Sequence, residues 1–445
     1  MRPVGLRRED PEHGGARRRH QGRSDPHRLD PDRLPGVGRR RRGGAVIGDR
    51  RPATGARTAA SVRRPAFAGL PAVAFAVPGY LAAYVRPAAW LAVLLAFALL
   101  AADCAPAGTT LTVISWGGSY GRAVTRAYLE PFAAATGIDV RLDDYNGGLA
   151  QIRAQVETGN VHWDVVDLEM ADAVAGCDEG VLEPIDVSIL APAADGTPAA
   201  ADFLPDTLAE CGVGTTFYST VYAYNAERLA GEAPSTMEDF FDLERFPGRR
   251  GMRRVPFVNL EFALIADGVP VDEVYATLDT PEGVDRAFRK LDTIKDQVVW
   301  WEAGAQPPQM LADGEVAMTT AYNGRIFNAQ VLEGQPFEIV WDGQVLDVGP
   351  IGIVAGTPDL EPALELVKFA TRASSMAAIG RYIAYSPVRR SGLPLIGRHA
   401  DAGIDMNPHM PTYPAHMRRT LQNDWLWWSD NLDDMNERFS AWLAR

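Results

Sequence analysis

Three short clusters in the chain have the residue types to hold a charged small molecule. Trp116 is followed by Gly117–Gly118–Ser119–Tyr120, an aromatic plate and then a flexible backbone turn that opens a helix. Asp144–Tyr145–Asn146–Gly147–Gly148 forms a second acidic turn, and Glu169 supplies a lone carboxylate. An aromatic face, a backbone cradle and a carboxylate are equipment for binding rather than for bond breaking.

Metal-site and nucleotide-binding signatures are missing from residues 109–445. Four histidines remain there (His162, His399, His409, His416), and none has the HExxH spacing of a metal site. There is no Walker loop, and Gly212–Val213–Gly214 lacks the third glycine of a dinucleotide fingerprint. Asp430–Glu437 lacks the glycine of a calcium loop. No CxxC or Cys/His cluster exists, so neither structural zinc nor a cofactor is expected. The expected activity is non-enzymatic recognition, with a secreted enzyme on the same fold as the alternative.

Those clusters must be positioned by the elements between them. Leu111–Trp116, Ile138–Tyr145 and Trp163–Leu168 read as strands, each followed by a glycine turn or a polar junction and a helical pattern (120–135, 149–158, 170–180). Three β-α units in succession predict a parallel, doubly wound sheet. In open sheets of this kind ligands bind at the carboxyl ends of the strands, where all three clusters fall. Further on, 217–224, 315–321, 337–341 and 346–354 read as strands, 236–246, 258–267 and 281–295 as helices, and 247–256 as a loop. Trp425, Trp428, Leu432, Met435, Phe439 and Trp442 recur at helical spacing and predict a packed C-terminal helix.

Charge divides the chain in two. The net charge of −13 over 445 residues combines +11 in residues 1–108 (19 arginines, 8 acids) with −24 in 109–445. So acidic a domain lacks the basic footprint of nucleic-acid binding. Residues 1–84 form an Arg/Gly/Pro-rich leader, expected to be disordered and read as a start site placed too early. Residues 85–107 read as a signal peptide: Arg86, the apolar run 88–102, then the small-residue exit Ala105–Pro106–Ala107. The run is shorter than the roughly 20 apolar residues of a spanning helix. Asp103 before Cys104 argues against a lipoprotein, so the destination is the periplasm or the exterior. Only Cys177 and Cys211 remain after export; a disulfide between them would stabilise by roughly 3–4 kcal/mol through loop closure.

The segment TLTVISWGGSYGRAVTRAYLEPFAAATGIDVRL resembles bacterial extracellular solute-binding proteins of ABC importers, particularly the spermidine/putrescine-binding family. WDVVDLEMADAVAGCDEGVLEPID, TTFYSTVYAYN, FPGRRGMRRV, GEVAMTTAYNGRIFNAQ and ALELVKFATR extend the resemblance, in order, over 109–445. It implies an α/β fold of two doubly wound lobes with hinge strands, like type II periplasmic binding proteins, with the ligand cleft between the lobes. Lobe 1 would comprise 108–222 and 345–395, and lobe 2 would comprise 223–344 and 396–445. The implied role is capture of a small amine-containing, polyamine-like solute by a monomer that delivers it to a membrane ABC permease.

Carried over by position, the resemblance assigns ligand contacts to Trp116, Tyr120, Glu169 and Tyr322; Ser119, Gln306 and Asn323 are further candidates, and Glu261 and Asp347 are the nearest acids to those of polyamine binders. An aromatic at 322 would face an ammonium, an attraction of roughly 0.5–2 kcal/mol. Yet polyamine binders carry acids before the helix at 258–267, where this chain has Val255, Pro256 and Val258. They also carry an aromatic and an acid on the returning strand, where it reads Val348–Gly349–Pro350. Arg325 adds a cation suited to pairing bidentately with a carboxylate, or alternatively to an ion pair at the surface or between lobes. Glu169 and Arg325 on opposite lobes would suit a zwitterionic ω-amino acid, the alternative ligand class.

Overall fold

The computed structural model describes residues 109–229 and 231–445. The expected leader (1–84) and signal peptide (85–107) lie outside the described residues. From Thr110 the chain follows the predicted β-α alternation. β1 (Thr110–Ser115) leads through α1 (Gly118–Val124), a π-helical turn at Thr125–Leu129 and α2 (Glu130–Thr136) to β2 (Asp139–Asp144). α3 (Ala150–Thr158), β3 (Val165–Asp167) and α4 (Met170–Asp178) complete the set. α2 and α3 stop at Gly137 (φ 76°) and Gly159 (φ 64°), whose left-handed conformation favours glycine.

β2, β1 and β3 pair in parallel, in that order. Strands covered on both faces carry continuous apolar runs. Leu111, Val113, Ile114, Val165 and Val166 are accordingly all buried. The chain then lays down β4 (Gly212–Asn225), β5 (Arg250–Arg253), β6 (Val298–Trp301), β7 (Met318–Tyr322) and β8 (Phe337–Ile353). These extend one mixed sheet in the order β2-β1-β3-β8-β4-β7-β5-β6. β4 and β8 pair antiparallel through both halves of it, with the register shifting between Thr220 and Tyr222. β3 joins one end of β8 (Asp167↔Ile351), and β7 joins the far end of β4 (Thr220↔Tyr322). Two parallel lobes, β2-β1-β3 and β7-β5-β6, are thereby strung on two shared strands.

Several expectations change. The segment expected as loop 247–256 contains β5, because Arg250 is buried and donates to the carbonyls of Phe240, Asp242, Phe246 and Gly248. Arg250, which looks solvated in the sequence, is thus a core fastening, while Arg249 beside it stays exposed. The helix expected over 236–246 is only Met237–Phe241, begun by a Thr236/Asp239 capping box and ended at Asp242. The two strands expected at 337–341 and 346–354 are one, β8, whose Pro350 lies opposite Gly214 beside a second register shift.

Helices α5 (Asn259–Ala266), α6 (Pro281–Asp292), α7 (Asn323–Leu332), α8 (Leu360–Ala370) and α9 (Trp425–Leu443) cover the sheet. α9 is the predicted tail helix. Asp424 caps it by accepting from the Trp427 amide; Phe439 and Trp442 pack on Phe288 and Trp300, and Trp428, which meets Phe257, and Met435 are buried in the same core. Among the described residues no helix is long and apolar enough to cross a membrane.

Cys177 of α4 and Cys211 are joined in a disulfide. Arg389 and Asp202, both buried, pair at 2.6 Å, and the guanidinium also donates to the carbonyls of Thr371 (3.1 Å) and Ala191 (2.9 Å). Removing one partner strands a buried charge, so Arg389→Met should lose about 3–5 kcal/mol in urea unfolding. The exposed Arg126–Asp401 pair offers the contrast: Arg126→Ala should cost under about 1 kcal/mol. Reduction of the disulfide should cost roughly 3–4 kcal/mol in the same assay.

Candidate ligand-binding site between the lobes

The carboxyl ends of strands from both lobes converge on one cavity. Trp116 and Glu169 follow β1 and β3, while Arg253 and Tyr322 are the last residues of β5 and β7. Trp116, Tyr120, Glu169, Thr216, Tyr218, Tyr322, Arg325, Gly349 and Tyr385 line the cavity. Thr216 and Tyr218 come from β4 and Gly349 from β8, so the shared strands form its floor. The walls are aromatic: Tyr218 meets Tyr322 edge-on at 5.5 Å and Tyr385 at 5.9 Å, and Tyr120 lies 5.7 Å from Tyr385.

Two arginines of the second lobe reach the first. Arg253 pairs with Glu169 at 3.2 Å, and its guanidinium lies 5.9 Å from the rings of both Trp116 and Tyr322. Arg325 Nη1 donates to the Gly117 carbonyl (2.7 Å) and Nη2 to the Trp116 carbonyl (3.0 Å), with Ser119 Oγ at 3.4 Å. Its Nε is buried without a partner. Gly118 permits this approach, since a Cβ there would stand 2.6 Å from Nη1. The lobes are therefore closed on each other over the cavity.

Burial governs the titrating groups. It pushes the Tyr385 hydroxyl up to about 12 and raises those of Tyr120, Tyr218 and Tyr322, so all remain hydrogen-bond donors at neutral pH. Asp347 is pushed up to about 8, by burial first and by the charge of Glu169 second. Tyr218 donates its hydroxyl proton to Glu169.

Of the residues expected to contact ligand, Trp116, Tyr120, Glu169, Tyr322 and Arg325 line the cavity. Ser119 sits beside Arg325 on an adjoining space, and Asp347 stands one hydroxyl behind, 3.3 Å from the Tyr218 oxygen. Three residues fall elsewhere. Glu261 is buried in the second-lobe core, where Trp428 donates to Oε1 at 2.6 Å and Tyr275 at 3.0 Å, because α5 is buried on all sides. Gln306 spends its Oε1 on the amides of Glu302 and Ala303 at a helix start. Asn323 ties the Ser219 amide to the Ala384 carbonyl, leaving both ends of its amide engaged.

Sequence reasoning missed Arg253, Thr216, Tyr218, Gly349 and Tyr385. Arg253 had a signal: had 250–253 been read as a strand, it would have marked a carboxyl end. Tyr218 alternates with Phe217 on a recognised strand, but which face turns to the ligand depends on the partner strands.

Glu261 gives a pH test. Burial raises its carboxyl to about 7, above its ordinary range. The folded chain therefore binds a proton that the unfolded chain releases, and this stability is present below about pH 4 and is lost as pH rises towards 7. Glu261→Gln should flatten the fall in melting temperature between pH 5 and about 7.5; an unchanged slope would mean that the acid is ionised in the core.

Comparison with known proteins agrees with this architecture. Residues 127–412 match the family described as bacterial extracellular solute-binding protein. The γ-aminobutyric acid-binding protein of Pseudomonas aeruginosa is 42% identical over 336 residues, 76% of this chain and 91% of the relative. An ABC transporter substrate-binding protein from Bradyrhizobium japonicum is 32% identical, with a TM-score of 0.66 over 75% of this chain and 99% of its own. A GABA receptor structure is 29% identical, with a TM-score of 0.65 over 76% and 98%. A spermidine/putrescine-binding protein of Streptococcus pneumoniae is only 16% identical (TM-score 0.55, over 76% and 100%), so the expected tie to polyamine binders reduces to a shared fold. The chain belongs to the bacterial extracellular solute-binding protein family, as the substrate-binding component of an ABC import system.

Proposed function

We propose that the cavity captures a short ω-amino acid of the γ-aminobutyrate class, with its ammonium at Glu169 and its carboxylate at the arginines. The observation that carries this reading is the pairing of Glu169 with Arg253 inside one aromatic enclosure that also holds Arg325. Desolvated charges must be matched locally. A zwitterion inserted at the pair brings no net charge and offers each partner an opposite end. A dication would add two positive charges beside two guanidiniums, with Glu169 the one carboxylate lining the cavity. The name of the P. aeruginosa relative supports the same ligand class.

The second reading is a polyamine-like cation. Asp347 favours it, as a second carboxyl behind Glu169. A thermal-shift series separates the two. γ-Aminobutyrate at 100 times its Kd should stabilise by about 2.7 kcal/mol, with putrescine giving far less at pH 7. Stabilisation by putrescine alone would exclude the zwitterion. Trp116→Ala should raise the Kd for γ-aminobutyrate by about tenfold, within the range of a lost cation–π contact, while leaving the urea midpoint near that of the wild type. An unchanged Kd would remove Trp116 from the contact surface.

A further inference from the structure

Behind Glu169 a line of buried side chains leaves the cavity and crosses the sheet. Tyr218 on β4 meets two carboxyls: its hydroxyl donates to Glu169 Oε2 and lies 3.3 Å from Asp347 Oδ2 on β8. A phenol has one proton to give. Once that proton is on the Glu169 side, the Tyr218 oxygen and Asp347 Oδ2 are both acceptors, and a proton on Asp347 completes the contact. Asp347 also accepts from Asn423 Nδ2 (2.5 Å) and the Val348 amide (2.7 Å). Its described hydrogen-bond partners include no cation.

On the far side the pattern repeats. The Tyr275 hydroxyl lies 2.9 Å from Asn423 Oδ1 and 3.0 Å from Glu261 Oε1, again one proton between two acceptors. The groups facing Asp347 are thus Tyr218 and Glu169 towards the ligand and Asn423, Tyr275 and Glu261 behind. The one guanidinium in the line is Arg253, held on Glu169.

We propose that Asp347, which does not line the cavity, sets how many positive charges the cavity accepts. With its proton in place, Glu169 is the single anion and a ligand with one ammonium is selected. With the proton lost, two carboxylates meet at Tyr218 and a diamine is accommodated. Burial and the neighbouring Glu169 hold the Asp347 proton up to about pH 8, so it is kept below that pH and lost above it. The inference rests on the zwitterion reading above.

The test is calorimetric titration of the full chain with γ-aminobutyrate and with putrescine, at about pH 6.5 and about pH 8.8, on either side of the Asp347 value. In the wild type the affinity ratio of putrescine to γ-aminobutyrate should rise at least about tenfold with pH, as expected for a second charge at this range. Asp347→Asn should abolish the rise and keep the low-pH ratio. A structural role alone would leave the pH profile of selectivity unmoved. Putrescine binding at pH 7.5 should also release about one proton, from Asp347 to the buffer, read from heats in buffers of different ionisation enthalpy. A flat ratio in the wild type, or the same rise in Asp347→Asn, overturns the proposal. If γ-aminobutyrate binds and the ratio is flat, this inference alone fails. If γ-aminobutyrate binds at neither pH, the zwitterion reading falls and takes the inference with it.

Discussion

A guanidinium withdrawn from water has to find acceptors, and Arg325 finds two of its acceptors in the opposite lobe. It is 4% exposed, and the carbonyls of Trp116 and Gly117 receive its two terminal nitrogens. Those carbonyls are available because Gly117 and Gly118 take left-handed conformations (φ 59° and 57°) that turn the chain straight after β1. The same turn sets the Trp116 ring into the cavity wall, close over Gly147, where a Cβ would stand 2.7 Å from the ring. Lobe closure, the glycine turns and the aromatic wall are thus consequences of one buried cation, since opening the lobes would leave Arg325 to water.

The charge on the page runs opposite at two scales. Residues 109–445 are strongly acidic, yet the cavity wall includes the Arg325 guanidinium as well as Glu169, which Arg253 holds. Net charge acts at long range and is screened within about 8 Å at physiological salt. Inside the closed lobes, partners within 4 Å decide which ligand charge is tolerated. Acidity over residues 109–445 therefore says little about the site.

Local signals explain what the sequence made legible. The first three β-α units have short periodic segments ending at glycines, and the strand-end rule put Trp116 and Glu169 at the cavity. Arg253 was hidden because RRGMRR carries a loop's composition; it becomes a strand only through pairing with β7 and β6 and through the four carbonyls that take up Arg250. Glu261 was misplaced for the converse reason. Glu261 is the nearest acid to where polyamine binders carry theirs, but every residue of α5 is buried, so the acid turns into the core and meets Trp428. Burial of that kind is a property of the assembled layers and leaves no mark on eight residues of sequence.

The location of Tyr218 and Asp347 gives the polar line its reach. They lie on β4 and β8, the strands common to both lobes, and face each other in register (Tyr218↔Asp347). A group on either lobe alone would separate from its partner whenever the lobes part. Tyr218 and Asp347 sit on strands common to both lobes, so their contact does not depend on how the lobes meet. Glu169 and Arg253 come from different lobes, so their ion pair does.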